Sequence, residues 1–233
     1  MDIEPGLYIV STPIGNLGDI TQRALTVLAR VDLIACEDTR RTGLLLKNFG
    51  ITNRLISYNE YNKLRRTPEI LTVLSQQRAV ALVSDAGTPG ISDPGFYLIR
   101  AAIEHGIRVI PVPGASAILA ALVVSGLPSD RFVFEGFLPK RAGRRRKRLM
   151  ALVGEARTVI FLESARRLIR LLNEIGEVLG DRRVVVCREL TKKYEEIIRG
   201  RVSEVLEALA SRKIKGEVVV IVSGYEERDQ GQR

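Results

Sequence analysis

Short apolar runs alternate with longer amphipathic stretches over the first 125 residues. Leu7-Tyr8-Ile9-Val10, Leu33-Ile34-Ala35-Cys36, Leu55-Ile56-Ser57-Tyr58, Val80-Ala81-Leu82-Val83 and Val109-Ile110-Pro111-Val112 read as five buried strands. Between them the apolar spacing switches to a helical period. Asp19 is expected to cap a helix that buries Leu25, Leu28 and Ala29. A second helix carries Leu44, Leu45 and Phe49 and stops at Gly50, and a third covers residues 64–77. Asp93-Pro94 reads as a cap followed by an N1 proline. Residues 115–125 form a helix of small apolar residues. Strands that alternate with helices predict a mostly parallel, helix-covered sheet.

Beyond Gly126-Leu127-Pro128 the pattern changes. Phe132-Val133-Phe134-Glu135, Thr158-Val159-Ile160-Phe161-Leu162, Val184-Val185-Val186-Cys187, Glu196-Ile197-Ile198-Arg199 and Val218-Val219-Val220-Ile221-Val222 read as strands, with helices at 164–179 and 202–212. The strand spanning residues 195–200 follows its predecessor so closely that a hairpin, and hence a mixed sheet, is expected. The chain therefore reads as two α/β domains, 1–117 and 118–233, with the boundary between residues 113 and 128. The tail from Glu226 is polar and expected to fray.

Composition narrows the class. With 45% apolar and 27% charged residues the chain is globular rather than disordered. No apolar run is long enough to span a bilayer, and Met1-Asp2-Ile3-Glu4-Pro5 is not a signal peptide, so a cytoplasmic protein without a membrane partner is expected. Cys36 and Cys187 each end an apolar run and read as buried free thiols. The net charge of +9 is uneven: residues 1–125 carry 12 basic and 11 acidic side chains, and residues 126–233 carry 24 and 16. Within the second half, Lys140, Arg141, Arg144, Arg145, Arg146, Lys147 and Arg148 crowd into nine positions without an acid. Seven such cations repel one another, so an anionic partner is expected there rather than an ordinary solvated face. With about five of them on phosphates, log affinity should fall against log salt with a slope near −4.

Three glycine-bearing loops follow three strands: Ser11 to Asp19, Ser84 to Gly95, and Pro113-Gly114-Ala115-Ser116-Ala117. Ligands of open α/β sheets bind at the carboxyl ends of strands, so these loops mark a site. None carries GxGxxG or GxxxxGK[ST], which removes support for the Rossmann and P-loop nucleotide modes. Glu37-Asp38-Thr39-Arg40-Arg41 ends the second strand, where the acids are expected mainly to cap the next helix. Asp85 ends an apolar strand beside no basic neighbour in sequence, so its carboxylate needs loop amides or a ligand. The single histidine, His105, precedes a glycine at a helix end and reads as a helix-terminal cation. A Ser–His–Asp triad or a histidine metal site is thereby close to excluded, and no metal is expected.

The motifs Thr12-Pro13-Ile14-Gly15-Asn16-Leu17-Gly18-Asp19-Ile20-Thr21, Glu37-Asp38-Thr39-Arg40, Ser84-Asp85-Ala86-Gly87-Thr88-Pro89-Gly90, Glu135-Gly136-Phe137-Leu138-Pro139 and Arg188-Glu189-Leu190-Thr191-Lys192 together resemble one family. It is that of rRNA small subunit methyltransferase I, the bacterial 16S rRNA cytidine 2′-O-methyltransferases of the tetrapyrrole methylase superfamily. The resemblance runs from about residue 7 to residue 224. It implies two α/β domains with S-adenosylmethionine in the cleft between them, a cytidine ribose of the small ribosomal subunit as substrate, and a homodimer. It implies cofactor contacts at Asp85, Thr88, Ser116 and Ala117, and less securely at Pro13, Leu162 and Leu190.

Family members usually carry histidines at places that here read Arg41, Asn59, Tyr61 and Arg167. A mechanism with one of those histidines as obligatory base therefore fails for this chain. Candidate bases for deprotonating a ribose hydroxyl are Glu37, Asp38 and Asp85, with Arg40 available to a neighbouring phosphate. Two other readings stand beside this one. One is a tetrapyrrole-type small-molecule methylase on the same fold. The other is a non-catalytic RNA-binding assembly factor, favoured by the missing histidines.

Overall fold

The computed structural model describes residues 3–226; most of the polar tail, residues 227–233, lies outside the described residues. Tertiary contacts divide the chain into two compact units, one running to Ser116 and the other starting at Ala117.

The first unit holds β1 (Gly6–Val10), β2 (Leu33–Cys36), β3 (Leu55–Ser57), β4 (Ala79–Val83) and β5 (Val109–Val112). They lie in the order β3-β2-β4-β1-β5, and every neighbouring pair is parallel. β1 and β4 are buried along their whole length, which explains why they are apolar throughout rather than alternating. Successive residues feed opposite faces. Val10, Ile34, Cys36, Ala81 and Val83 pack under α1 (Gln22–Arg30) and α2 (Thr39–Asn48), while Leu7, Ile9, Ala35, Val80 and Leu82 pack under α3 (Lys63–Ser75) and α4 (Gly95–Glu104).

Two helix starts differ from the sequence expectation. Residues Leu17–Asp19 form a 3-10 turn, and the cap of α1 is Thr21, whose Oγ1 accepts the Ala24 N–H at 3.1 Å. Moving the start by two residues rotates the buried face to Ala24, Val27 and Leu28, leaving Leu25 half-buried and Ala29 exposed. At α4 the cap is Pro94, and Asp93 reaches around it: Asp93 Oδ1 accepts from the amides of Gly90 at 2.8 Å and Gly95 at 2.6 Å. Thr21→Ala should therefore cost about 1 kcal/mol in urea denaturation, with Asp19→Ala near neutral. Equal losses would return the cap to Asp19.

The second unit contains α5 (Ala117–Ser125), β6 (Phe132–Phe137), α6 (Ala142–Met150), β7 (Thr158–Ser164), α7 (Leu168–Leu179), β8 (Arg183–Arg188), β9 (Glu196–Arg201), α8 (Val202–Leu209) and β10 (Glu217–Val222). The strand order is β6-β7-β10-β8-β9. β6 and β7 are parallel, and the remaining pairs are antiparallel, including the expected β8–β9 hairpin. Phe161, Leu168, Leu171, Leu172, Ile175, Val184, Val186, Val205, Val218 and Val220 form one core under α6, α7 and α8. Both sheets thus match the expected classes, parallel and then mixed. Cys36 and Cys187 are buried and free, and burial pushes each thiol up to about 11. No described helix is long and apolar enough to cross a membrane.

Candidate active site

The strand order of the first unit creates the site. β1 lies between β4 and β5, and β2 lies against β4, so the loops leaving β1, β2, β4 and β5 meet at one edge. Thr12 and Gly87 exchange backbone hydrogen bonds at 2.9 and 3.0 Å, an isolated bridge that ties the β1 loop to the β4 loop. The Ser11 and Thr88 hydroxyls lie 2.9 Å apart, and Thr12 Oγ1 donates to the Ser84 carbonyl at 3.2 Å. The β5 loop closes in at Gly114, where a Cβ would stand only 3.0 Å from that of Ser11. Glycine is needed there because two backbones approach closely. Pro13, Asp85, Thr88 and Ser116, expected to contact a cofactor, are thus all carried by these mutually braced loops.

Asp85 has a basic partner after all. Its Oδ2 faces Arg41 Nη1 at 3.1 Å, and its Oδ1 accepts the Asp38 N–H at 3.1 Å. Arg41 is 44 residues away in sequence, one turn into α2, and comes into reach because β2 pairs with β4. Asp38 caps α2 by accepting the Arg40 N–H at 2.9 Å, and the Arg40 guanidinium closes on it at 2.7 Å. That pairing holds the Asp38 carboxyl well below the usual carboxylate range, so Asp38 is a poor base. The capping role expected for this segment falls to Asp38. Arg40 is itself strongly exposed, and such a surface pair exchanges readily for a phosphate.

Glu37 is different. It is half-buried; that burial, followed by the Asp85 and Asp93 carboxylates, raises its pKa. A backbone hydrogen bond from Asp85 and the charge of Arg41 only partly oppose this. Glu37 therefore has an environment that draws a proton, where that of Asp38 repels one. Asp93 Oδ2 is buried with no hydrogen-bond partner, a further unfilled acceptor at this edge. Asp85 and Glu37 share one guanidinium, that of Arg41, and with the Asp93 carboxylate, hydroxyls and loop amides nearby they suit a ligand that carries positive charge and hydroxyl groups. Sequence reading missed Arg41, whose only signal is strand adjacency, and gave Asp93 of the β4 loop only a capping role. His105 caps α4, its Nδ1 2.8 Å from the Ala101 carbonyl, and takes no part. Among the described residues no group of three or more His, Cys, Asp or Glu side chains could hold a metal.

The remaining candidates belong to the second unit. Ala117 begins α5. Leu162 is half-buried in β7, where it pairs with Val219, and Leu190 is buried in the β8–β9 turn between Glu189 and Thr191, both at positive φ. Arg167, at a place where histidine was expected, closes on the buried Glu163 with an Nε–Oε1 distance of 2.7 Å.

The seven cations of the basic run separate into two groups. Arg145 is not a surface cation: it is 4% exposed, and its guanidinium is bound by Glu174 and the carbonyls of Pro139 and Lys140. The cause is helical phase, since Arg145 shares the inner face of α6 with Leu149. Arg148 pairs with Glu135 at 2.5 and 2.8 Å, and Arg146 lies 3.4 Å from Glu177. Lys140, Arg141, Arg144 and Lys147 are exposed and form no ion pair among the described residues. The seven cations are thus not equivalent: Arg145 is buried, Arg146 and Arg148 are exposed but paired with acids of α7 and β6, and the other four have no acid partner among the described residues.

Comparison with known proteins places these features. Residues 6–206 match the family of Tetrapyrrole (Corrin/Porphyrin) Methylases. Ribosomal RNA small subunit methyltransferase I of Escherichia coli O157:H7 is 52% identical over 227 residues, 96% of this chain and 79% of that protein. The protein of the same name from Thermotoga maritima is 50% identical over 220 residues, 94% of this chain and 99% of that one. Among solved structures, cobalt precorrin-4 methyltransferase, a cobalamin biosynthetic enzyme, aligns with a TM-score of 0.69 at 17% identity, covering 93% of this chain and 94% of that one. Uroporphyrin-III C-methyl transferase from Thermus thermophilus, solved with S-adenosyl homocysteine, aligns at 0.65 and 18% identity, covering 94% and 97%. At such identities the structural likeness is one of fold.

Proposed function

The chain belongs to the tetrapyrrole methylases, within the family of ribosomal RNA small subunit methyltransferase I, and from this premise we propose that it transfers a methyl group from S-adenosylmethionine to a cytidine ribose 2′-hydroxyl of 16S rRNA in the cytoplasm. The observation that carries the reading is identity near one half, sustained over almost the whole chain, with relatives named for rRNA methylation. The loop edge of the first unit fits the cofactor: its surplus of carboxylates over Arg41 suits a sulfonium, and the unfilled Asp93 oxygen suits a ribose or amino group. Pro13, Asp85, Thr88 and Ser116 would hold it. When bound, it supplies an electrophilic methyl on a positively charged sulfur.

The work left to this chain's own residues is alignment and proton removal. Glu37 accepts the proton of the 2′-hydroxyl; burial and the neighbouring Asp85 and Asp93 carboxylates raise its pKa and so favour proton uptake there. Arg41 and the Asp38 amide keep Asp85 oriented, so that it positions the cofactor without competing for the proton. Arg40 can release Asp38 to take a phosphate beside the target ribose. A homodimer accompanies this reading on family grounds.

The test is transfer of labelled methyl from S-adenosylmethionine to small subunits, naked 16S rRNA and tetrapyrroles in parallel. Label is expected in one RNA cytidine, at a linkage that resists alkali because its 2′-oxygen is blocked. Label in a tetrapyrrole alone would favour the small-molecule methylase, and no transfer despite RNA binding would favour the assembly factor.

A further inference from the structure

We propose that Phe137 is a stacking platform for an unpaired base of a single-stranded RNA segment whose phosphates run along Lys140, Arg141, Arg144 and Lys147. The inference rests on the RNA reading above and names the form of RNA that this surface takes.

Phe137 ends β6, an edge strand, and is 55% exposed. The chain puts it there by a bulge. Phe134 pairs with Ile160 and Gly136 with Phe161, so Glu135 is an extra residue in β6. Gly136 has φ of +63°, a conformation that glycine adopts without strain. The insertion re-phases the pleat, and Phe137 stands outward between buried Gly136 and buried Leu138.

The ring is also held rigidly to its cations. The carboxylate of the bulge residue Glu135 is buried and grips Arg148 of α6 at two points. Arg145 of the same helix donates to the carbonyls of Pro139 and Lys140, at 3.2 and 3.0 Å, so α6 clamps the chain on both sides of the ring. Lys140 follows Phe137 by three positions, a span of at most about 11 Å. Arg144 and Lys147 follow on the solvent side of α6, away from buried Arg145 and Leu149. Buried Arg145 and the paired Arg148 build the platform, and Arg144 and Lys147 face solvent.

A phosphate-tracking row of cations beside an exposed aromatic ring is the recognition chemistry of single strands, because every unpaired base offers a π-face and a paired one does not. A bare polyanion would use the cations and ignore the ring. Charge complementarity therefore selects a nucleic acid, and the ring selects its single-stranded form.

The sequence holds no tryptophan, so Phe137→Trp creates a single fluorescent reporter at the site. Titrated with an oligocytidylate of about 12 nucleotides, its emission should be quenched, whereas blunt RNA duplex and polyphosphate should leave it unquenched. Phe137→Leu should weaken oligocytidylate binding about tenfold with an unchanged salt dependence. For about four phosphate contacts on a single strand the log–log salt slope should lie near −3, and the Arg144→Gln, Lys147→Gln double variant should flatten it by about 1.4. Wild-type affinity in Phe137→Leu, or equal quenching by duplex or polyphosphate, would overturn the proposal. Calorimetry of S-adenosylmethionine on the unaltered protein is read separately. Its failure would count against methyl transfer and leave the stacking result standing.

Discussion

Glu37→Gln is expected to lower the single-turnover rate of methyl transfer by about 10²–10⁴-fold, while S-adenosylmethionine binds with unchanged affinity. The amide keeps the size of the carboxyl and its contact with the Asp85 amide side, and removes the proton acceptor. The pH profile gives an independent reading. Burial and the neighbouring Asp85 and Asp93 carboxylates raise the pKa of Glu37, so the wild-type rate should climb through a limb above the ordinary carboxylate range. Below that limb Glu37 is protonated and each pH unit should cost about tenfold in rate; the variant should lose the limb. The stability linkage runs in the opposite sense. A raised pKa means that the folded state holds the proton more tightly than the unfolded state, so ionising Glu37 opposes folding. Above the raised pKa, Glu37→Gln should be at least as stable as the wild type. An unchanged single-turnover rate would remove Glu37 as the base, and a loss explained by unfolding is excluded by the melting curve.

Arg145→Ala and Arg144→Ala should behave oppositely although the residues are neighbours. Truncating Arg145 strands Glu174 and two carbonyls near the base of α6, at a cost of about 3 kcal/mol in chemical denaturation. Glu174 keeps some solvent access and a second partner in Arg170, 3.2 Å away, which holds the loss below that of a fully buried pair. Arg144→Ala should change stability by less than about 0.5 kcal/mol and weaken RNA binding instead. The prediction fails if both variants melt like the wild type, or if Arg145→Ala alters only the salt slope.

These expectations mark where sequence reading reached its limit. The five strands of the first unit were legible because both faces of a parallel sheet are covered, and such strands are apolar from end to end. The hairpin of the second unit was legible from a connection too short for anything else. The Asp38 cap could be read from its place before a helix, a local matter. The partner of Asp85 could not, since Arg41 reaches it only through the pairing of β2 with β4. Likewise Thr21, not Asp19, caps α1, because a 3-10 turn consumed the residues before it.

The sequence alone determined the class of both sheets, the family and the strands whose ends carry the candidate chemistry, because hydrophobic period and motif order are local properties of the chain. The tertiary structure decided which charges are free. Seven cations that look alike in sequence became three engaged in pairs, one of them buried, and four without an acid partner among the described residues, and three candidate acids became a cap, a paired carboxylate and one proton-drawing glutamate. Charge is written in the residue, but burial and counter-ions come from elements distant in sequence, and those set what a charge can do.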